Sequence, residues 1–538
     1  MLSRSEFKFR KHESIGSEGA EEDKEYLYKC FVDTGDLDVL RNTKHPARIV
    51  EGRTGAGKTA LLMVLENNEE NVKFIEPEEL ALQFISNSNV IRYLESNGVN
   101  LNIFYKLLWR HILTIELIKI KYDIKNKGDQ AGFITRMYEK YFGDQKKKEA
   151  YEYLTEWGEK FWVNTEERVK QVTQKLENQL IAELSSKIPS FSSKISGSAK
   201  FNHEEVAEIV KRAQEIVNSV QIRKLSKIID TLAEDEFCDD QQRYYIVMDK
   251  LDENWVDEDV RYKLVRALVE TIRDLKRIES TKIIISIRRD LIDSVFRHTR
   301  DVGFQEEKYQ SLFLRVYWKK TELMELVDKR LNFLIQRQYT GKKVTWRDIF
   351  PAKIGDIPTD DYLTLRTMFR PRDIISFVNG CIDNSTGFAK ITATRVRDAE
   401  SHYSDVRYRA LGDEWIADYP NLLRVLKVLK NKPKYFHFNE ISKSDLDDLV
   451  MDVLSCDVKE NCLVEDLCHK YFHIHISYDD ALIGLLKIFY KVGVLGVREH
   501  SRGVSWCFKD DHMIHDSQIT GKEGVEICPM FYRVFGIG

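Results

Sequence analysis

The stretch "ARIVEGRTGAGKTALLMVLENN", Ala47–Asn68, decides how the rest of the chain is read. Ile49 and Val50 end a short apolar run suited to a buried strand, and a glycine loop follows. Apolar residues then recur at Leu61, Leu62, Val64 and Leu65, a spacing that predicts an amphipathic helix. Gly52, Gly57, Lys58 and Thr59 meet the spacing G-x-x-x-x-G-K-T. Glycines at those positions let the backbone curl so that its N–H groups point at phosphate oxygens. The residues expected to cradle a nucleoside triphosphate are therefore Gly52, Thr54, Gly55, Ala56, Gly57, Lys58, Thr59 and Ala60. Lys58 is expected to reach the β- and γ-phosphates, with the Thr59 hydroxyl on Mg²⁺. The positive end of the following helix favours the same anion. No N-K-x-D guanine-reading motif is placed where a GTPase would need it, so the expected cofactors are ATP and Mg²⁺.

Composition bounds the rest. A chain of 538 residues, 43% hydrophobic, is long enough for several domains and a large core. Its formal net charge of −4 excludes a polycation built to coat nucleic acid, so any such contact needs a local patch. The charged start "MLSRSEFKFRKHES" lacks the apolar centre of a secretory signal, and no apolar run reaches membrane-spanning length. Eight irregularly spaced cysteines read as reduced thiols, and the expected location is cytoplasmic.

A phosphate loop needs a second strand that ends in an acid. "RYYIVMDKLDENW" supplies it: Tyr244–Met248 reads as a buried strand and Asp249 as the Mg²⁺ ligand at its tip. Asp252 and Glu253, one turn on, are the candidates to orient or deprotonate a water. A third strand, "TKIIISIRRDL", ends in Arg288 and Arg289. Either arginine can serve the γ-phosphate in cis or a neighbouring subunit's nucleotide in trans, or simply pair with Asp290. A fourth strand is expected over Ser311–Trp318. Beyond it, "MFRPRDIISFVNGCI" places Arg370 and Arg372 around a proline at a helix start, where a lid arginine would close over phosphates; a salt-bridged helix start is the competing reading.

The remaining chain is helical. An insertion over about residues 100–235 reads as two long helices, one from Asn164 and one from Asn202. The second carries an apolar stripe that continues to Leu225, Ile228, Ile229 and Leu232. The pair forms either a projecting hairpin or a layer on the core. From residue 413 the order is three helices and then two short strands, Val494–Val497 and Val504–Phe508. That order predicts a winged helix with its wing at Glu499–Gly503. Its third helix offers mainly Asp479, Asp480, Lys487 and Lys491, so strong DNA binding is not favoured. Cys456, Cys462, Cys468, His469, His473 and His475 crowd together, yet the C-x₅-C-x₅-C spacing does not suit a zinc chelate.

With these segments in order, the chain resembles bacterial P-loop ATPases of the STAND and KAP classes. The resemblance lies in "GRTGAGKTALL", "FYKLLWRHI", "IVMDKLDENW", "ISIRRDL", "RPRDIISF", "LLKIFYKVGVLG" and "EICPMFYRVFGI". "DKLDE" looks like the acid pattern of NACHT-type ATPases, which implies Asp249 on the metal and Asp252 and Glu253 as hydrolytic acids. The resemblance implies a nucleotide switch that oligomerises or acts through a separate effector protein, in several relatives as part of antiphage defence. A DNA-handling AAA+-like ATPase has the same order of parts and is the alternative. The expected fold is α/β: an ASCE-type P-loop NTPase core with a parallel sheet and a large helical insertion, then a helical lid and a C-terminal winged helix. The expected divisions are an N-terminal segment 1–40, a core 41–330, a lid 331–412 and a winged-helix domain 413–538.

Overall fold

The computed structural model describes residues 7–80, 82–125, 127–141, 165–196, 202–219, 237, 239, 241–300, 305–336, 343–455, 463–499, 503–509 and 514–537. They fall into two compact units. One comprises Gly35–Arg53 and Leu61–Val316; the other comprises Met1–Thr34, Thr54–Ala60 and Tyr317–Gly538.

The first unit is built on a five-stranded parallel sheet. Its strands are β1 (Ile49–Gly52), β2 (Val72–Ile75), β3 (Tyr244–Met248), β4 (Thr281–Arg288) and β5 (Phe313–Arg315), in the order β2-β3-β4-β1-β5. Of the three inner strands β3, β4 and β1, β3 is a continuous apolar run and β4 is rich in isoleucine, as expected where both faces of a parallel sheet are covered. Ile49 pairs with Ile285 and Phe313, Ile246 with Ile283, and Ile75 with Met248. Since the strands are parallel, Gly52, Met248 and Arg288 all end at one edge of the sheet.

The expected fourth strand over Ser311–Trp318 is corrected to three residues. Glu306–Leu312 is a 3₁₀ turn that consumes the start of the run. After Arg315 only the Val316 N–H continues the ladder, to Glu51 O at 2.8 Å. The edge strand β2, "VKFI", is half exposed and carries too weak a pattern to be read in advance.

Helix α1 (Lys58–Asn68) follows the glycine loop. Helix α2 (Asn102–Tyr122) lies against α5 (Glu258–Leu275): the Trp109 indole donates to Leu264 O at 2.8 Å, and Lys106 sits 3.3 Å from Glu270. Helices α3 (Thr165–Lys187) and α4 (His203–Ser219) come from the insertion. Their Leu180, Leu184, Ile209 and Ala213 belong to the same core as Ile246 and Ile283, so the described part is a packed layer and not a projecting arm. The stripe expected at Leu225–Leu232 lies outside the described residues.

In the second unit, α6 (Lys320–Gln336), α7 (Pro371–Asp383) and α8 (Ala393–Glu414) share one core with Phe9, Ile15 and Val32. The buried Arg330 donates to Ile15 O at 2.8 Å and pairs with Asp23 at 2.5 Å, which ties the N-terminal segment to α6. A two-strand ribbon, β6 (Lys353–Ile354) and β7 (Ile357–Pro358), precedes α7. The C-terminal part has α9 (Lys443–Leu454), α10 (Leu463–Phe472) and α11 (Tyr478–Lys491), with α9 and α11 opened by capping boxes at Ser442 and Ser477. Its antiparallel sheet has the order β10-β9-β11-β8, from β8 (Tyr435–His437), β9 (Leu495–Glu499), β10 (Gly503–Ser505) and β11 (Gly524–Ile527). Two of these strands, β8 and β11, are additions to the sequence reading, and the tip 500–502 lies outside the described residues. "YPNLLRVLKVLKN", expected as one helix, breaks into Leu422–Val425 and a 3₁₀ turn, Leu426–Leu429.

Candidate functional site

β1 ends at Gly52, residues 53–57 turn without regular structure, and α1 opens at Lys58, with Thr59 and Ala60 in its first turn. Gly55 and Gly57 have φ of +75° and +92°, backbone that side chains other than glycine rarely adopt. Both also face close neighbours. A Cβ on Gly55 would stand 3.0 Å from Arg372 Nε, and one on Gly57 3.6 Å from Pro371 Cγ and 3.9 Å from the Trp318 ring. The Trp318 indole donates to Ala56 O at 2.8 Å. The Arg372 backbone N–H lies 3.5 Å from Gly55 O. The phosphate-loop glycines are thus covered by Trp318 and by the first turn of α7. Two polar atoms here are buried with no hydrogen-bond partner among the described residues, Thr54 Oγ1 and Arg372 Nε. Such orphaned donors and acceptors are costly unless something binds there.

Arg370 and Arg372 part company. The Arg370 side chain is 4% exposed and bidentate to Glu414, at 3.0 and 3.1 Å. Moving it to a phosphate would break this buried bidentate pair, so the expected cofactor contact of Arg370 is not what this geometry supports. Arg372 is 30% exposed and lies over Gly55. Between the two sits Asp373, fully buried, 3.8 Å from Arg370, 3.9 Å from Arg372 and 3.3 Å from Arg407.

At the sheet edge, Asp249 follows β3 and is 8% exposed; one of its oxygens accepts the Lys250 N–H at 2.9 Å. Lys250 has φ +60°, a left-handed position unusual for a side chain of this size. That twist starts a tight turn whose backbone Arg261 clamps, with Nη1 on Glu253 O at 3.0 Å and on Asn254 Oδ1 at 3.1 Å. Asp252 stands 3.8 Å from Arg288, which also holds Asp290 at 2.7 Å. Arg289 lies 3.3 Å from the buried Glu51 of β1, which Arg315 approaches from the far side at 3.5 Å. The structure therefore brings Asp252 and Arg288 together and turns Arg289 toward Glu51.

Glu253 lines a small cavity of about 60 Å³ with Glu76, Glu78, Lys250 and Trp255. Burial raises its carboxyl above the ordinary range; the Lys250 ammonium opposes that shift, and Asp252, Glu76 and Glu78 add to it. A carboxyl shifted upward in a cleft is a candidate for proton transfer. Trp318, Lys250 and Glu76 escaped the sequence reading, because nothing local marks a residue whose importance comes from a long-range neighbour.

Among the described residues no group of three or more His, Cys, Asp or Glu side chains suits a metal ion, and no helix is long and apolar enough to cross a membrane. Cys468 is buried, its thiol pushed up to about 12 by desolvation, with Glu465 adding to the shift. Cys456 and Cys462 lie outside the described residues.

Residues 321–412 match the FunZ-associated C-terminal helical domain. Among solved structures, the Walker-type ATPase PABY2304 of Pyrococcus abyssi is similar over 94% of this chain and 96% of that chain, at 10% identity and a TM-score of 0.38. No curated protein matches the chain.

Proposed function

We propose that the chain is an ATP-hydrolysing switch with an ASCE-type P-loop core, a helical lid over residues 331–412 and a C-terminal winged-helix domain over residues 413–538. The observation that carries this reading is the seat of Pro371, Arg372 and Trp318 on the glycine loop. Residues proposed to bind phosphate pack directly on the lid's first turn, so charge arriving at the loop acts on the lid. The orphaned Thr54 Oγ1 and the left-handed glycines fit a polyphosphate, and the strand-tip Asp249 fits a hard cation.

In this reading Lys58 pairs with the β- and γ-phosphates, and the backbone of residues 52–60 holds their oxygens. Magnesium, held by Thr59 and Asp249, would neutralise charge on the phosphates. Glu253 takes a proton from a water whose oxygen bonds to the γ-phosphorus. The bond from that phosphorus to the β-bridging oxygen breaks, and ADP and phosphate leave. Asp252 fixes Arg288, whose guanidinium faces the developing charge, and Arg372 leaves Gly55 to meet the γ-phosphate. The resemblance of the sequence motifs to STAND and KAP ATPases extends the proposal to a bacterial defence or signalling assembly, in which nucleotide state controls oligomerisation or an effector partner.

Phosphate release from Mg-ATP tests the core of this reading. The wild-type chain turns over and Lys58→Ala loses tight nucleotide binding; a Lys58→Ala chain that hydrolyses ATP normally sinks the site assignment.

A further inference from the structure

The turn after β3 holds a lysine where its backbone favours glycine. Lys250 at φ +60° bears a strain of about 1 kcal/mol that glycine would not. Its side chain does not point into bulk water alone: Nζ reaches across to the residue just after β2, with Glu76 Oε1 at 3.0 Å. Glu253 lines the same small cavity as both partners, and Glu78 adds a third carboxylate to its wall. The Glu253 backbone is pinned, since its N–H donates to Lys250 O at 3.1 Å and its carbonyl accepts from Arg261. Its side chain therefore shares one pocket with a single ammonium and two further carboxylates, of which Glu76 holds that ammonium.

We propose that Glu76 is a positioning residue that holds the Lys250 ammonium off Glu253 and so leaves the Glu253 carboxylate open to water. This rests on the reading of Glu253 as the hydrolytic base. The Lys250 and Glu76 side chains are 35% and 44% exposed, and a pair so wetted is worth about 1 kcal/mol or less. The ammonium is accordingly exchangeable, and removing Glu76 hands it to the next carboxylate in the cavity. The geometry makes Glu76, the residue just after the edge strand β2, a control point for hydrolysis.

The backbone conformation supplies a clean test. Lys250→Gly removes the ammonium while relaxing the left-handed position, a relief that offsets the chain entropy glycine adds to the unfolded state. Steady-state turnover of Mg-ATP, its KM and the Kd of a fluorescent ATP analogue are measured for wild type, Glu76→Gln, Lys250→Gly and the double variant. Glu76→Gln should lower kcat roughly threefold to tenfold, the effect of up to about 1.4 kcal/mol, with KM and Kd unchanged. Lys250→Gly sets the rate without the ammonium, and the double variant should match it. A Glu76→Gln chain at the wild-type kcat, or a double variant as slow as Glu76→Gln, overturns the proposal. A wild-type chain with no turnover removes the hydrolysis reading itself, a result distinct from either of these.

Discussion

The indole of Trp318 donates its N–H to the carbonyl of Ala56, at 2.8 Å, and so latches a residue just before α6 onto the middle of the glycine loop. Neither residue signals the other in the sequence, 262 positions apart. Trp318→Phe keeps the ring's bulk and loses the hydrogen bond, which is worth about 1 kcal/mol. Titrating Mg-ATP into the wild-type chain should change tryptophan emission, and most of that change should vanish in Trp318→Phe. An identical emission change in the variant would remove Trp318 from the nucleotide response.

Arg370 and Arg372 separate stability from binding. Arg370→Ala removes the buried bidentate partner of Glu414 and one of the cations beside Asp373, and should cost roughly 3–5 kcal/mol of stability. Arg372→Ala should leave thermal unfolding within a few degrees of wild type and raise KM for ATP or lower kcat about tenfold or more. Calorimetry and steady-state kinetics on the same preparations check both. Equal losses of Tm would return Arg372 to a purely structural role.

A side chain at Gly55 would crowd Arg372. Gly55→Ala meets the left-handed penalty of about 1–2 kcal/mol and drives its methyl group against Arg372. Nucleotide affinity should fall at least tenfold, read by titration with a fluorescent ATP analogue, while Gly35→Ala, left-handed but in open space, should only lower stability.

Lys282 gives the fold a pH dependence far from the glycine loop in sequence. It is fully buried in β4, with Nζ donating to Val39 O at 2.6 Å and Asn42 O at 2.8 Å, beside Arg48. Burial, with Arg48 adding to it, lowers its pKa from 10.5 to about 7. The folded state therefore binds the proton less readily than the unfolded chain. Stability is favoured above pH 10.5 and is progressively lost as pH falls from there toward 7, below which both states are charged. Unfolding free energies measured across that window should rise with pH, and Lys282→Met should flatten the rise. An unchanged slope in Lys282→Met would show that other groups govern it.

Assembly is tested on Glu253→Gln, which should bind ATP and fail to hydrolyse it. Light scattering should show a step from a small species to a defined multimer when Mg-ATP is added. An unchanged mass would leave an intramolecular switch or a missing partner.

The glycine loop, β3 and β4 were legible because each is a contiguous signal: glycine spacing, or an apolar run capped by an acid or an arginine. The packed insertion was only half legible, since an amphipathic stripe at Leu180 and Leu184 states that a helix buries one face and not what covers it. The strands β8 and β11 were missed because their antiparallel pairing, Phe436 with Val525, joins segments far apart in sequence. The same holds at the candidate site. Lys58, Asp249 and Glu253 declare themselves by motif, whereas the bond from Arg370 to Glu414 and the pair of Lys250 with Glu76 exist only once the chain has folded.

The grouping of Thr54–Ala60 with Tyr317–Gly538 bears on how the protein can be dissected. A fragment ending at Val316 would retain every strand of the parallel sheet and the whole GRTGAGKT motif, and by sequence criteria it would pass as a minimal nucleotide-binding domain. It would nonetheless lack the tryptophan, the proline and the arginine against which the loop's backbone is shaped. Limited proteolysis or deletion cloning guided by the sheet alone would therefore yield a glycine loop without the side chains that pack on it, and a fragment that keeps them extends at least through Arg372.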